Sequence, residues 1–402
     1  MFKRQDQDYS KQPVGPLGIV CLDSCKDLGK QVDEYLVKWR RERAESDNGK
    51  HPEHPIYHSY CKDSFLVKAQ TPRFGTGEAK GALQESVRGN DLFIMLDVTN
   101  YSMTYRINKY ENHMSPDDHF QDLKRVIAAA GGKARRINVI MPFLYESRQH
   151  RRGGRESLDC AMALQELVQM GVNNIITFDA HDDRVQNAIP LHGFETVRPT
   201  YQFIKGLLST VPDIKLDKDH FMTISPDEGA TRRSVYLASV LGVNMGMFYK
   251  RRDYTQVVNG RNPIVAHEFL GQDIEGKDVF VIDDMISSGD SMIDVARELK
   301  KRKAGRIFLA ATFGLFTSGM ERFDKAYEEG LFDYILTTNL TYQSEAVLSR
   351  PYHISCDMSK YIAYIIDTLN HDGSISSLLD PFDRIQAIVE KYNNGEDLSN
   401  AD

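Results

Sequence analysis

Two alternating periodicities constrain the fold of this sequence most strongly. Short apolar runs rich in β-branched residues alternate with segments in which apolar residues recur at three- and four-residue spacing. This alternation is typical of α/β units built around mainly parallel sheets. The predicted strands are LGIVCL, DLFIML, INVIMPF, NIITFD, HFMTISP, DVFVIDD, IFLAATF and YILTTN, and the clearest predicted helices span residues 118–130, 158–170, 229–241 and 291–303. Strands in this number would fill two sheets.

Length and charge restrict the class of function. A chain of 402 residues, 41% hydrophobic and 27% charged, has the composition of a globular protein. It is long enough for roughly two or three domains with their own cores. The net charge of −7 argues against a general electrostatic hold on DNA or RNA. A small anionic ligand fits this composition better, and no nucleic acid polymer is expected as a partner.

Cysteine usage and the opening segment indicate the compartment. The five cysteines are scattered and lack the paired CxxC spacing of a zinc site, so neither a disulfide framework nor a structural metal is expected. The segment MFKRQDQDYSKQ lacks an apolar signal core. No window approaches the roughly 18 apolar residues needed to cross a bilayer. These features predict a cytoplasmic protein without a membrane partner.

The segment VFVIDDMISSGDS joins a predicted strand to a predicted helix through polar residues. In open α/β sheets, ligands bind outside the carboxyl ends of the strands. Backbone N–H groups and hydroxyls at a helix N-terminus suit a phosphate, and the hydroxyls available are those of Ser287, Ser288 and Ser291. Asp283 and Asp284 would repel phosphate, but they can accept hydrogen bonds from sugar hydroxyls or hold a metal ion. The segment predicts a ribose phosphate site, with a helix cap and a solvated loop as the alternative.

Three further features place polar residues after apolar runs. His181 can ligate a metal or contact phosphate, or it can be a hydrogen-bonded structural histidine. Asp227 lies on a Pro-containing turn before a helix, where it is either a ligand or an N-cap. The basic runs YESRQHRR and YKRRDYTQ are either solvated faces or a means of neutralising a polyphosphate, as phosphoryl transfer requires.

The order of several motifs resembles that of the ribose-phosphate diphosphokinases, also called phosphoribosyl diphosphate synthetases. The motifs are RFGTGE, ESVRGNDLFI, SRQHRR, TFDAH, SPDEGATRR, YKRRD, VIDDMISSGDS and SISSLL, and the resemblance covers residues 15–379. It implies two tandem phosphoribosyltransferase-like domains, each a mainly parallel sheet flanked by helices. The expected division is a polar leader (1–15), an N-terminal domain (16–205) with insertions at about 41–55 and 100–112, a C-terminal domain (206–355), a helical element returning to the N-terminal domain (356–380) and an acidic tail (381–402).

The resemblance also implies an activity. Members of the family transfer the β,γ-diphosphoryl group of ATP to the C1 hydroxyl of ribose 5-phosphate, with Mg²⁺, and release AMP. By motif, Lys250 and Arg252 would be catalytic residues on a loop over the transferring group, and Asp283, Asp284, Ser287, Ser288 and Ser291 would bind ribose 5-phosphate. ATP would contact Phe74, Glu78, Arg148, Gln149 and His181, and the metal would contact His181 and Asp227. In the family, the residues that match Phe74 and Glu78 come from a neighbouring subunit, which implies a homo-oligomer, with a hexamer as the family's form.

A regulatory site is the least direct implication of the resemblance. In the family, the motifs that match ESVRG and SISSLL contribute to a site for phosphate and ADP at subunit contacts. The matching residues in this chain are Ser86, Arg88, Ser374 and Ser376. The segment SISSLL is also an ordinary helix start, which is the alternative.

The chain departs from the family pattern at several positions. The family usually has Asp or Asn at Thr76, Asp at His150 and His at Phe313, and SSGDS replaces an Asp-Thr-(Ala or Gly)-Gly-Thr pattern. The most serious change is Asp290, a carboxylate beside the expected phosphate. Its alternative role is that of an acid at an exposed helix start. These changes keep two other functions open: a catalytically silent regulatory homologue that binds an active partner, and a phosphoribosyltransferase that acts on a base.

Overall fold

The computed structural model of this protein describes residues 12–46, 59–252 and 264–398, and the side chains of 250–252 and 264–267 lie outside that description. All the following statements about the structure refer to these described residues.

The N-terminal unit is built around a parallel sheet of five strands, in the order β1-β4-β7-β8-β9. A short antiparallel pair, β2 with β3, and a hairpin, β5 with β6, are attached to it. The elements in chain order are β1 (Leu17–Cys21), α1 (Lys26–Ser46), β2 (Ala69–Gln70), β3 (Ala82–Leu83), β4 (Asp91–Met95), β5 (Thr104–Ile107), β6 (Tyr110–His113), α2 (Pro116–Ala130), β7 (Arg136–Ile140), α3 (Asp159–Gln169), β8 (Asn174–Phe178) and β9 (Gly193–Val197).

The C-terminal unit is built around a sheet of seven strands in the order β12-β11-β10-β13-β14-β15-β16. Its strand pairs are parallel except for β11 with β12. The elements are α4 (Thr200–Thr210), β10 (Phe221–Ser225), α5 (Thr231–Leu241), β11 (Asn244–Arg252), β12 (Ile264–Leu270), β13 (Asp278–Ile286), α6 (Asp290–Lys301), β14 (Ile307–Gly314), α7 (Glu321–Glu328), β15 (Tyr334–Thr338), α8 (Glu345–Leu348) and β16 (His353–Cys356), followed by α9 (Ser359–Asn370), α10 (Ser376–Leu379) and α11 (Phe382–Asn393).

The predicted fold class is confirmed, since two mainly parallel sheets are flanked by helices. Each apolar run predicted as a strand forms one, because its side chains are buried on both faces of a covered parallel sheet. Helix α2 shows how local sequence sets a boundary. Ser115 and Asp118 form a reciprocal capping box at its start, and Gly131, with φ of 55°, ends it in the left-handed region.

Secondary structure is present at several of the domain limits expected from sequence. The expected boundary at residue 205 falls inside α4, whose buried residues Phe203 and Leu207 pack in the core of the C-terminal unit. Residues 41–46 of the first expected insertion continue α1, residues 47–55 lie outside the described part of the chain, and the second insertion overlaps the β5/β6 hairpin. The expected acidic tail contains α11, which buries Ile385 and Ile388 in the same C-terminal core.

Helix α9 returns to the N-terminal unit and packs against α1. Trp39 of α1 stacks on Tyr364 of α9, with ring centroids 4.3 Å apart. Beneath them, the Asp367 carboxylate pairs with Arg40 at 3.2 Å and with Arg43 at 2.6 Å, and the side chains of Arg40 and Asp367 are fully buried. Burial alone would raise the pKa of Asp367, but the two guanidinium groups hold it below its usual range. This ion pair fixes the C-terminal segment on the N-terminal unit.

Replacing Asp367 with alanine should destabilise the protein strongly, because Arg40 would stay buried without its carboxylate. The expected loss is about 3–5 kcal/mol in the free energy of unfolding. Denaturant unfolding followed by the fluorescence of Trp39, the single tryptophan of the sequence, measures it at the affected interface. Arg41→Ala is the matched control, because Arg41 lies on the same helix as Arg40 and its pair with Asp63 is exposed, so its loss should cost little. An equal effect of the two substitutions would contradict this role.

Candidate active site

The largely buried guanidinium of Arg233 joins the carboxyl ends of the two sheets. Asp179 follows β8 and Arg233 lies in α5, and Arg233 Nε donates to Asp179 Oδ1 at 2.8 Å. Thr312 of β14 donates to the other Asp179 oxygen at 2.6 Å. Burial raises the pKa of Asp179, against the effect of the nearby Arg233 charge. These contacts hold the polar loop after β8 against the C-terminal sheet.

The same junction brings His181 to Asp284. Nδ1 of His181 lies 2.6 Å from Oδ2 of Asp284, which is buried near the end of β13. This hydrogen bond raises the pKa of His181 above its usual value. Burial would raise the pKa of Asp284, but the bond to His181 and the charge of Arg233, 3.9 Å away, hold it below its usual range. His181 Nε2 has no hydrogen-bond partner among the described residues and is open to a ligand.

Asp283 and Asp227 add negative charge beside this pair. Burial raises the pKa of Asp283 well above its usual value, and the charges of Asp284 and Asp227 raise it further. Asp227 Oδ1 accepts hydrogen bonds from the backbone N–H groups of Gly229 at 2.8 Å and Ala230 at 3.2 Å. Asp227 therefore holds the turn that leads into α5, but the N-cap residue of that helix is Ala230, and Asp227 Oδ2 faces no donor among the described residues.

The described side chains supply only part of a metal site. Within the described ranges, no group of three or more His, Cys, Asp or Glu side chains could hold a metal by itself. A divalent cation at Asp227 and His181 therefore needs oxygen ligands from a bound phosphate or from water. Mg²⁺ is commonly bound in this way, with one or two carboxylates and substrate phosphates. The crowded carboxylates fit such a cation, because it would relieve their mutual repulsion.

The loop between β13 and α6 has the form of an anion site. Gly289 has a φ of 89°, and a Cβ atom there would lie 2.2 Å from the Phe323 ring, so both the backbone and the packing require glycine. The turn directs the loop into the N-terminus of α6, where backbone N–H groups favour an anion. Ser287 and Ser288 are partly buried and Ser291 is exposed.

Asp290 points away from the centre of this loop. Its side chain is 57% exposed, and one oxygen accepts a hydrogen bond from the Ser288 hydroxyl at 3.1 Å. The other oxygen pairs with Arg322. The carboxylate that replaces the family's glycine is thus turned outward and neutralised by a cation on α7.

The loop after β7 lies between His181 and the end of β13. Arg148 Nη2 lies 2.6 Å from the Met285 sulfur, close to Asp284, and Gln149 Nε2 donates to the Ser157 carbonyl at 2.8 Å. The His150 ring lies 5.3 Å from the His181 ring. This loop therefore meets the ends of both β8 and β13.

A cleft of about 270 Å³ opens at this junction. It contains His150 and His181, and five arginines line it: Arg151, Arg184, Arg198, Arg232 and Arg233. Sequence reasoning did not select Arg198, Arg232 or Arg233 as site residues. Arg232 and Arg233 form the RR pair that directly follows SPDEGAT, and this pair was the sequence signal for them. Basic walls of this kind suit a polyphosphate.

The residues predicted for the adenine contact from a neighbouring subunit and for the regulatory site lie outside this cleft. Phe74 is 53% exposed, and its backbone N–H donates to the Glu78 carbonyl at 2.7 Å, but neither residue lines the cleft. The hydroxyls of Ser374 and Ser376 lie 2.9 Å apart, and the Arg88 N–H lies 3.4 Å from the Ser86 hydroxyl, so each pair makes local contacts on the surface.

The predicted catalytic cations, Lys250 and Arg252, lie at the end of a strand. The backbones of Lys250 and Arg252 belong to β11, which pairs with β12, rather than to a loop. Backbone pairing with β12 extends the strand NMGMFY through the basic residues that follow it. Their side chains lie outside the described part of the chain.

Comparison with known proteins identifies relatives of this chain. The family model for the N-terminal domain of ribose phosphate pyrophosphokinase matches residues 17–171, and the phosphoribosyl transferase domain model matches residues 206–332. Ribose-phosphate pyrophosphokinase of Mycoplasma pneumoniae is 29% identical over 272 residues, which cover 66% of this chain and 74% of the relative. Its counterpart in Streptomyces coelicolor is 28% identical over 316 residues, 78% of this chain and 89% of the relative.

A solved structure shares the fold. The crystal structure of phosphoribosylpyrophosphate synthetase from Mycobacterium smegmatis aligns with a TM-score of 0.67 at 20% sequence identity, and covers 89% of this chain and 99% of that chain. No helix among the described residues is long and apolar enough to cross a membrane. With both domain models matched in order, the chain belongs to the ribose-phosphate pyrophosphokinase family, for which diphosphokinase is the equivalent term.

Proposed function

We propose that this protein transfers the β,γ-diphosphoryl group of ATP to the C1 hydroxyl of ribose 5-phosphate, yielding phosphoribosyl diphosphate and AMP. The observation that carries the proposal is the hydrogen bond between His181 and Asp284. It places a residue expected on the ATP side against a residue expected on the sugar side. The names of the relatives support the same reaction.

The acceptor would lie on the loop between β13 and α6. The phosphate of ribose 5-phosphate meets the N–H groups at the start of α6 and the hydroxyls of Ser287, Ser288 and Ser291. The sugar hydroxyls meet Asp283 and Asp284, whose oxygens accept hydrogen bonds. Asp284 is held in a fixed orientation by His181, so the sugar would bind a pre-organised partner.

The donor would lie on the cleft between the two units. Arg148, Gln149 and His181 would bind ATP, with Asp227 Oδ2 and His181 Nε2 facing Mg²⁺. Mg²⁺ supplies charge neutralisation of the phosphate oxygens when it is bound. Lys250 and Arg252 would stabilise the charge that spreads over the transferring group, a role that comes from the resemblance alone.

The adenine site would be completed by a second copy of the chain. Phe74 and Glu78 lie away from the cleft of their own chain, and Phe74 is a large exposed apolar side chain. Both facts support contact with a neighbouring subunit in a homo-oligomer, with a hexamer as the family's form. The sequence composition supports a cytoplasmic setting.

A silent regulatory homologue is the second candidate function. The substitution at Asp290 motivates it, but the outward orientation and the Arg322 partner of this carboxylate weaken that motive. A phosphoribosyltransferase is less well supported, since the arginine-lined cleft and the SRQHRR motif would then have no polyphosphate to bind.

The reaction can be tested directly on the purified protein with ribose 5-phosphate, ATP and Mg²⁺. AMP and phosphoribosyl diphosphate should form in equal amounts.

Lys250→Ala and Arg252→Ala should each lower kcat by roughly two orders of magnitude or more, with unchanged thermal stability, because their charges act mainly in the transition state. Lys277→Ala is the control, because this partly buried lysine lies before β13, donates to the Lys218 carbonyl and does not line the cleft. Absence of AMP formation across phosphate concentrations would refute the proposal.

The pair of Asp290 and Arg322 should affect the acceptor rather than the chemistry. Arg322→Ala leaves the Asp290 carboxylate uncompensated near the sugar phosphate, so the KM for ribose 5-phosphate should rise about threefold at low salt while kcat is unchanged. In the double variant Asp290→Asn with Arg322→Ala, the KM should return toward the wild-type value. Arg297→Ala, from the exposed pair with Asp294 on α6, is the matched control. A double variant as impaired as Arg322→Ala would contradict compensation.

Regulation through Ser86, Arg88, Ser374 and Ser376 is a separate proposal. ADP should inhibit the wild-type enzyme, and Arg88→Ala should remove that inhibition without a change in kcat. Arg106→Ala on the β5/β6 hairpin is a control for loss of one exposed arginine. Initial rates at fixed ATP and increasing ADP measure the effect, and a wild-type enzyme insensitive to ADP would count against the proposal.

A further inference from the structure

A second cavity borders the phosphate loop on the side of the β14 and β15 loops. It has a volume of about 690 Å³ and lies between the two units, with walls from the loops after β4, β7, β13, β14 and β15. Ser287, which the proposed function assigns to the sugar phosphate, forms part of its wall. The volume falls within the range of small-molecule sites, about 300–1,000 Å³.

The walls of this cavity are aromatic. Tyr101 of the N-terminal unit and Tyr342 of the C-terminal unit meet edge to face, with centroids 5.5 Å apart. Phe143 lies against the buried Phe313 at 5.0 Å, so the residue that replaces the family's histidine supports an apolar wall. Both tyrosines are more than one-third exposed. Flat side chains of this kind bind a planar ring by stacking.

One charged side chain in the wall is open to a ligand of this cavity. The partly buried Glu146 carboxylate receives no hydrogen bond from the described residues, and its backbone φ of 57° is unusual for a residue other than glycine. Arg148 also lies in the wall and contacts the Met285 sulfur, but the proposed function assigns its guanidinium to ATP. The cavity therefore offers Glu146 as an acceptor for an amino group.

A nucleoside 5′-monophosphate matches this combination of groups. It is ribose 5-phosphate with a base in place of the C1 hydroxyl, so the contacts proposed for ribose 5-phosphate serve it equally. We propose that the phosphate loop and the aromatic cavity together form a site for a purine nucleoside 5′-monophosphate, with the base in the cavity and an amino group facing Glu146.

This inference rests on the proposed function, because that function assigns the phosphate loop to the sugar. It has a kinetic consequence for the proposed reaction. AMP, the by-product, would bind in place of ribose 5-phosphate, and a high AMP concentration would slow the enzyme by competition at the acceptor site. Saturating ATP would not relieve the inhibition.

Calorimetric titration with AMP as the probe tests the site on the full chain. AMP should compete with ribose 5-phosphate for binding, and AMP should still bind when Mg–ATP is saturating. Tyr342→Ala should weaken AMP binding about tenfold, as for the loss of one stack between a base and an aromatic side chain. Its dissociation constant for ribose 5-phosphate should change less than twofold. Tyr110→Ala is the matched control, because Tyr110 is 76% exposed and lies outside the cavity.

A second probe tests the role of Glu146. Inosine 5′-monophosphate lacks the exocyclic amino group, so it should bind the wild-type protein more weakly than AMP, and Glu146→Ala should reduce that difference. AMP displaced by Mg–ATP but not by ribose 5-phosphate would overturn the inference and leave the proposed function intact. A Tyr342→Ala variant that binds AMP like the wild type would also overturn it. A protein that binds neither AMP nor ribose 5-phosphate would overturn both.

Discussion

The site depends on one largely buried cation shared between two sheets. Arg233 pairs with Asp179, which follows a strand of the N-terminal sheet, and lies 3.9 Å from Asp284, at the end of a strand in the C-terminal sheet. Both carboxylates are buried, where an unpaired charge would be costly. The guanidinium and further donors beside them offset that cost. The spacing of the strand ends is thereby fixed. His181, two residues after Asp179, is placed against Asp284 as a result, so the sides proposed for ATP and for ribose 5-phosphate meet there.

The sequence predicts the elements of this site better than their arrangement. Each apolar run such as NIITFD or DVFVIDD forms a strand, because burial on both faces leaves a strong local signal. Strands β9 and β16 were missed because they are short and partly polar. Arg233 was missed as a site residue because the contact that matters joins it to Asp179, 54 residues earlier. Patterns within one helix carry no information on such a pairing.

Orientation is the other property that local patterns leave open. Asp290 was identified from sequence as the position that most disturbs the phosphate loop, with an exposed helix start as the alternative. Its outward orientation depends on Arg322, 32 residues away on the next helix, and on the Ser288 hydroxyl. The form of the C-terminal segment also depends on contacts with residues distant in sequence. Its acidic composition suggested a tail, while the spacing of Ile385 and Ile388 allows α11 to pack on the C-terminal core.

The reaction proposed for this protein moves a diphosphoryl group rather than a single phosphoryl group. Label tracing measures it most directly, with ATP that carries ³²P at either the α or the γ phosphorus, in the presence of ribose 5-phosphate and Mg²⁺. The γ label should move to a sugar that carries a diphosphate at C1, and the α label should remain in AMP. A γ label found in a sugar monophosphoryl ester, with the α label in ADP, would contradict the claim.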